Sequence, residues 1–267
     1  MGGCPASAGG CGRRRMVEWV RNRLRDYAEK DGRGYPDWAM RYVPLVRRLP
    51  RAGLRDARVL EVGANECGLA RFSGARPVVV DVSIENVKAA WGTQDVRAVV
   101  ADLVALPFRP ETFDVVVCAD TMEHVAAEER GKAAAAVAEA LRSTGTGVVA
   151  FPAGDEAAEA ERAIREAYAA CTGRELRWLE EHARAGLPRV EDMTAAFRDA
   201  TADTHCVVVR KSATLWVWRW MWRVLMCGWP GRGNVVFQAL LRLLTPLLVR
   251  CRFGTCYRAE IWLEPRR

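Results

Sequence analysis

None of the nine cysteines stands in a C-x-x-C pair, and none has a histidine at metal-ligand spacing. Zinc ribbons and dithiol redox motifs are therefore excluded, and no metal site is expected. Cys251 and Cys256, five apart, come nearest to a metal or redox spacing. An odd number of scattered thiols, with no apolar secretory h-region ahead of them, reads as reduced cysteines in a cytoplasmic protein. Ala6 occupies the position where N-myristoylation needs Ser or Thr. No apolar stretch reaches the ~20 uninterrupted residues of a membrane-spanning helix. Histidine is scarce, with three in 267 residues, so imidazole chemistry can only run through His124, His182 or His205. The dinucleotide fingerprint G-x-G-x-x-G is also missing.

Half of the residues are hydrophobic, enough to build a large core and to exclude wholesale disorder. The length suits one α/β domain with decorations. The net charge of +7 is unevenly spread. Residues 1–58 carry 14 Lys/Arg and 6 Asp/Glu, and residues 204–267 carry 11 and 2. The centre, 59–203, carries 15 and 25, so it is acidic between two basic ends. Such ends could meet an anionic membrane, a polyanion or only water.

Residues 1–12 read as a Gly/Ala-rich tail, and residues 13–57 as N-terminal helices over about 14–30 and 37–49. From Arg58 short apolar runs alternate with helical segments. The runs are Val59–Val62, Pro77–Val82, Val96–Ala101, Phe113–Cys118 and Gly147–Phe151. Helices are expected over 67–73, 84–91 and 125–142. Alternation of this kind implies a parallel sheet with right-handed crossovers. Residues 151–200 look helical in three pieces, and strands are expected at His205–Arg210 and Tyr257–Leu263.

The chemistry concentrates in V-L-E-V-G-A-N-E-C-G-L-A, Val59–Ala70. A buried strand turns sharply into a helix, and such a turn at the carboxyl edge of a parallel sheet is where these folds bind ligands. Gly63 permits close backbone approach, and Gly68 permits helix–sheet packing. Asn65 stands where a pyrophosphate site needs its central glycine, which disfavours a dinucleotide. Glu61 is an acid inside an apolar strand and needs a partner. A ligand's amino group could supply it, and so could an arginine such as Arg71. Asp81 ends the second strand, where a carboxylate can accept from ribose hydroxyls. Asp102 ends the third, where it can accept from an exocyclic amine, with the N–H of Leu103 beside it. The fourth strand runs F-D-V-V-V-C-A-D-T-M-E-H-V, Phe113–Val125.

Taken together, Val59–Phe151 resembles the class I S-adenosylmethionine-dependent methyltransferase domain, in the broad subgroup whose fourth strand reads F-D-V-V before an E-H-V turn. The resemblance implies an α/β, Rossmann-like sheet of seven strands with helices on both faces, spanning residues 58–267. It implies that Glu61, Gly63, Asn65 and Gly68 surround the methionine end of the cofactor and Asp81 the ribose. Asp102 and Leu103 would hold the adenine, with Asp120 and Thr121 near the sulfonium. Asn65 and Cys67 depart from the family's small residues, which keeps a degenerate, non-catalytic membrane-associated protein in view. Residues 151–190 resemble a segment of methyltransferases of surface-glycan and secondary-metabolite pathways, which implies O-methylation of a small-molecule, glycan or lipid-linked acceptor. A nucleic-acid methyltransferase is the alternative suggested by the basic ends. Against it, Cys-Ala-Asp-Thr replaces the Pro-containing clamp for a flipped base.

An acceptor hydroxyl must lose a proton, and His124 and His182 are the candidate general bases. His205 reads as structural. Residues 213–250 form two apolar blocks broken by Pro230-Gly231. As a strand, Trp216, Trp218, Trp220 and Trp222 would share one face; as a helix, Arg219 and Arg223 would form a stripe. A helical insertion between the last two strands is expected, serving as a lid, a homodimer contact or a helix pair on an anionic membrane.

Overall fold

The computed structural model describes residues 35–50, 54–63, 67–227 and 232–266. The expected N-terminal tail, the helix over 14–30 and Asn65 lie outside these residues.

Seven strands form one sheet: β1 (Val59–Val62), β2 (Val78–Asp81), β3 (Arg97–Val100), β4 (Phe113–Ala119), β5 (Leu141–Pro152), β6 (His205–Thr214) and β7 (Cys256–Pro265). Their order is β3-β2-β1-β4-β5-β7-β6. The first five run parallel, and β7 inserts antiparallel between β5 and β6. Strand order reverses between β1 and β4. In open α/β sheets the ligand crevice lies outside the carboxyl ends of the strands at such a reversal.

Two-residue periodicity sends the side chains of β1 and β4 to opposite layers. Leu60, Val62, Val116 and Cys118 pack with Ala133 and Val137 of α4 (Arg130–Ala140) and Phe197 of α7 (Val190–Ala200). Val59, Val115 and Val117 pack on the other face with Tyr42 and Leu45 of α1 (Tyr35–Val46) and Leu69 of α2 (Leu69–Ser73). Helix α3 (Ile84–Thr93) opens on Ser83, whose hydroxyl accepts from the Asn86 N–H. The expected single helix over 125–142 is one short 3₁₀ turn, Ala127–Glu129, followed by α4, which stops at Ala140. There the N–H groups of Glu111 and Thr112 donate to the Glu139 and Ala140 carbonyls, and the chain passes directly into β5.

The helical segment after β5 is α5 (Asp155–Thr172), α6 (Arg177–Ala185) and α7. Helices α8 (Leu215–Cys227) and α9 (Arg232–Leu248) lie between β6 and β7. Because α8 is helical, its tryptophans do not share a face. Val217, Trp218 and Met221 enter a core shared with Ala157 and Ile164 of α5, whereas Trp216 and Trp220 are 58% and 41% exposed. Among the described residues no helix is long and apolar enough to cross a membrane.

Trp218 is fully buried and stacks on Tyr257 of β7 with ring centroids 3.8 Å apart. Trp218→Ala is expected to cost roughly 3–5 kcal/mol in urea unfolding, while Trp216→Ala at the exposed face should cost under about 1 kcal/mol. Equal costs for the two would mean that α8 is not docked by this stripe.

Candidate functional site

Glu61 lies on the α1/α2 face of the sheet because it shares parity with Val59. That placement sets its partners. Its carboxylate accepts from the Leu69 N–H at 2.9 and 3.0 Å and hydrogen-bonds with the Tyr42 hydroxyl. Gly68 is required beside it, since a Cβ there would stand 2.7 Å from Glu61 Oε1. Burial pushes the Glu61 pKa up to about 7, against the opposing pull of these hydrogen bonds and of Arg41. The sequence reading left an amino group or Arg71 as its partner; the fold supplies a helix N-terminus and a phenol.

Gly63 leaves β1 with φ +93°, and its N–H donates to Val80 O. A Cβ there would sit 2.2 Å from Thr121 Oγ1, whose hydroxyl donates to Val62 O at 3.0 Å. The two strand ends at the reversal point are thus in direct contact. Asp81 Oδ1 accepts from the Ser83 N–H at 2.8 Å and from Asn86 Nδ2 at 3.2 Å, which fixes the carboxylate at the end of β2. Asp102 is exposed and caps a 3₁₀ turn by accepting from the Val104 N–H at 3.1 Å; Leu103 behind it is buried. Glu61 lies one residue before the end of β1, Asp81 ends β2 and Asp102 follows β3.

Asp120 departs from its expected surroundings. It holds φ +53°, which Asp tolerates, and its carboxylate is gripped by Arg258 at 2.8 and 2.9 Å and by Arg41 at 3.0 Å. Asp37 joins from α1, 3.6 Å from Arg258 and 3.1 Å from Arg41. Burial alone would raise the Asp120 carboxyl, but Arg258 and Arg41 outweigh it and hold it below the ordinary carboxylate range. Arg41, Asp37 and Arg258 carried no local sequence signal, because each matters only through partners distant in the chain.

The two candidate bases meet. His124 follows β4 in the 3₁₀ turn Met122–His124, and His182 lies on α6. Their Nε2 atoms are 3.3 Å apart. His182 is buried, not on a solvated helix face; its Nδ1 lies 3.0 Å from Glu161 Oε1, and Tyr257 donates its hydroxyl to the same carboxylate. His124 Nδ1 lies 3.2 Å from Glu181 Oε2. Burial and the neighbouring His182 lower the His124 pKa, while Glu181 opposes them. Glu123 is completely buried, and burial and then the Asp120 charge push its carboxyl well above the ordinary range. His205 is buried apart from this group, with Nε2 3.3 Å from Gly145 O. A cavity of about 600 Å³ lined by Arg55, Asp56, Arg76, Gln94 and Asp95 sits at the amino edge and holds none of these groups.

Residues 60–149 match the family model described as a methyltransferase domain. Solved structures share the fold at low identity. A chain from the complex between the Haloferax volcanii Trm112 methyltransferase activator and a methyltransferase is 17% identical, with TM-score 0.56, covering 91% of this chain and 97% of that one. The geranyl diphosphate C-methyltransferase of Streptomyces coelicolor, solved with S-adenosyl-L-homocysteine, is 14% identical, with TM-score 0.53 and coverages of 84% and 74%. A sarcosine dimethylglycine methyltransferase of Galdieria sulphuraria is 13% identical, with TM-score 0.51 and coverages of 86% and 84%. No curated protein sequence matches the chain.

The raised Glu61 pKa carries a stability consequence. The folded carboxyl binds its proton up to about pH 7, whereas the unfolded one releases it near 4.5. The folded state therefore binds more protons in between, and stability falls as pH rises through that window. Between pH 5 and pH 8 the wild type should lose roughly 2–3 kcal/mol more than Glu61→Gln in urea unfolding. Parallel pH profiles for the two proteins would show that the carboxyl is not neutral when folded.

Proposed function

We propose that this chain, a class I S-adenosylmethionine-dependent methyltransferase by its fold and its domain match, methylates a hydroxyl oxygen on a small-molecule, glycan or lipid-linked acceptor. The observation that carries the cofactor part is the line of acids, Glu61, Asp81 and Asp102, along one sheet edge beside the β1/β4 reversal. S-adenosylmethionine supplies an activated methyl group and its sulfonium leaving group.

The residues fit such a ligand. The Gly63 turn stays open only because the position has no Cβ. Glu61 is a buried acid that an ammonium group would relieve. Asp81 is pre-positioned by Ser83 and Asn86 to accept from two ribose hydroxyls. Asp102, with the Leu103 N–H, stands where an adenine edge would lie. Gly68 completes the methionine end. Thr121 packs against Gly63 near the transferring group, and Asp120 acts by holding this edge together through Arg258 and Arg41.

Methyl transfer needs the acceptor oxygen in line with the breaking bond, so positioning is the main contribution of the protein. The acceptor also has to shed a proton. His124 and His182 stand just past the end of β4 and are the groups to which we assign its activation. The similar structures include a C-methyltransferase and a sarcosine dimethylglycine methyltransferase, so the fold does not choose the acceptor atom. The Cys118-Ala119-Asp120-Thr121 strand end disfavours a flipped base as acceptor.

The outer face of α8 and α9 bears on where the acceptor is met. Trp216 and Trp220 of α8, Leu240, Leu243 and Leu247 of α9, and Phe253 beyond it are exposed, as are Arg219 and Arg223. Apolar side chains interspersed with arginine suit an anionic membrane surface that presents a lipid-linked acceptor. Binding to anionic but not neutral vesicles, reversed by salt, is the expected flotation result. A concentration-dependent dimer that ignores both vesicle types would assign the face to a second copy instead.

For the cofactor, Asp81→Ala should lower S-adenosylmethionine affinity by on the order of 2–4 kcal/mol, about 30- to 1000-fold. Calorimetry is the measurement. Binding of NAD without S-adenosylmethionine would overturn the cofactor assignment, unchanged affinity in the variant would put the site elsewhere, and binding of neither cofactor would leave a non-catalytic scaffold.

A further inference from the structure

We infer that Glu123, His124 and His182 form a binding site for a divalent transition metal with one coordination position open toward the acceptor. The sequence reading expected none, because these residues have no metal-ligand spacing in the chain.

The argument begins with the two rings. Each has its Nδ1 against a carboxylate: His182 against Glu161 at 3.0 and 3.1 Å, and His124 against Glu181 at 3.2 Å. An ionised carboxylate only accepts hydrogen bonds, so His182 Nδ1 carries the proton and donates it to Glu161, while His124 Nδ1 stands at ion-pair distance from Glu181. The neutral His182 ring then presents its Nε2 lone pair, which faces the His124 Nε2 at 3.3 Å. Two ring nitrogens that close are held by a positive centre between them, a shared proton or a metal ion. A carboxylate behind each imidazole is also the arrangement that orients metal-bound histidines.

Glu123 supplies an independent observation. It is completely buried, and beyond its own backbone N–H neither carboxylate oxygen has a hydrogen-bond partner among the described residues. An unsatisfied buried carboxyl is costly unless a cation meets it. Its Oε1 lies 3.9 Å from His182 Nε2, and ligand atoms from all three residues fall within 4.8 Å of one another.

Distances favour a small tetrahedral ion. Metal–nitrogen bonds of about 2.0–2.1 Å at tetrahedral angles separate neighbouring ligand atoms by about 3.3–3.4 Å. The two nitrogens already have that spacing, and Glu123 Oε1, 3.9 Å from His182 Nε2, has to close by about half an ångström toward that ring. Two imidazoles and one carboxylate suit Zn²⁺, with Co²⁺ as a spectroscopic substitute. Three protein ligands leave the fourth position open, as catalytic rather than structural zinc sites do. His124 is the exposed member, so that position faces the mouth of the cleft.

The use of the metal rests on the methyltransferase reading; its binding does not. An acceptor hydroxyl at the open position would be acidified and would release its proton to solvent. The O–CH₃ bond then forms as the S–CH₃ bond breaks, and sulfur keeps the electron pair.

The test is titration of the purified full-length protein with Co²⁺ alone, followed by absorption, and with Zn²⁺ in competition. The expected result is one Co²⁺ per chain with a tetrahedral visible spectrum and no near-ultraviolet thiolate band. Zn²⁺ should displace it. His124→Ala, at an exposed position outside the core, should abolish the spectrum. Glu161→Gln should weaken binding about 10- to 100-fold, and His205→Ala should leave it unchanged. S-adenosylmethionine affinity reports that each variant is folded. No Co²⁺ binding by protein that still binds S-adenosylmethionine, a thiolate band, or a spectrum indifferent to His124→Ala would each overturn the proposal. Metal binding without S-adenosylmethionine binding would uphold the site and overturn the methyltransferase reading instead.

Discussion

Asp120 sits at the end of β4 with a left-handed backbone, and its carboxylate lies between the guanidinium groups of Arg258 and Arg41. Arg258 comes from β7 and Arg41 from α1, so this one acid joins the central strand, the antiparallel strand inserted beside β5, and the first described helix. Removing one partner of a buried pair leaves an uncompensated charge, which commonly costs several kcal/mol. The edge that carries the candidate site is therefore fixed in shape by charge as well as by packing.

The same charge propagates outward. Burial and then the Asp120 charge raise the Glu123 carboxyl, and Glu123 lies beside His182. His182 is tied to Glu161, which also receives the Tyr257 hydroxyl, and Tyr257 is stacked on Trp218. A chain of contacts thus runs from the apolar helix pair to the mouth of the crevice. Trp178 of α6 lies 5.3 Å from the His182 ring and 5.2 Å from Trp222 of α8, closing the loop. Helix α8 therefore acts on the site through packing, whatever meets its outer face.

Much of the β1–β3 edge was legible in the chain because its signals are local. Glu61, Gly63 and Gly68 fall within one strand–turn–helix, and Asp81 and Asp102 each end a short apolar strand. Period two in β1 even fixes the face of Glu61. The partner of Glu61 was not legible, because Tyr42 comes from a helix whose docking depends on the whole α1/α2 layer. The period of the Trp run suits a strand as well as a helix, and burial of Val217, Trp218 and Met221 goes with the helix.

By itself the sequence determined the alternation of strands and helices, the sharp turn after β1, and the acids at three strand ends, since each depends on a few neighbouring residues. Only the tertiary structure decided which charges meet. Arg258 and Asp120 are 138 positions apart, and His182 and His124 are 58 apart. Strand order brings the first pair together, by slotting β7 beside β5. The packing of α6 over the end of β4 brings the second. Neither depends on any short-range pattern, because pairing across a sheet is chosen by the burial of entire faces rather than by the residues it happens to align.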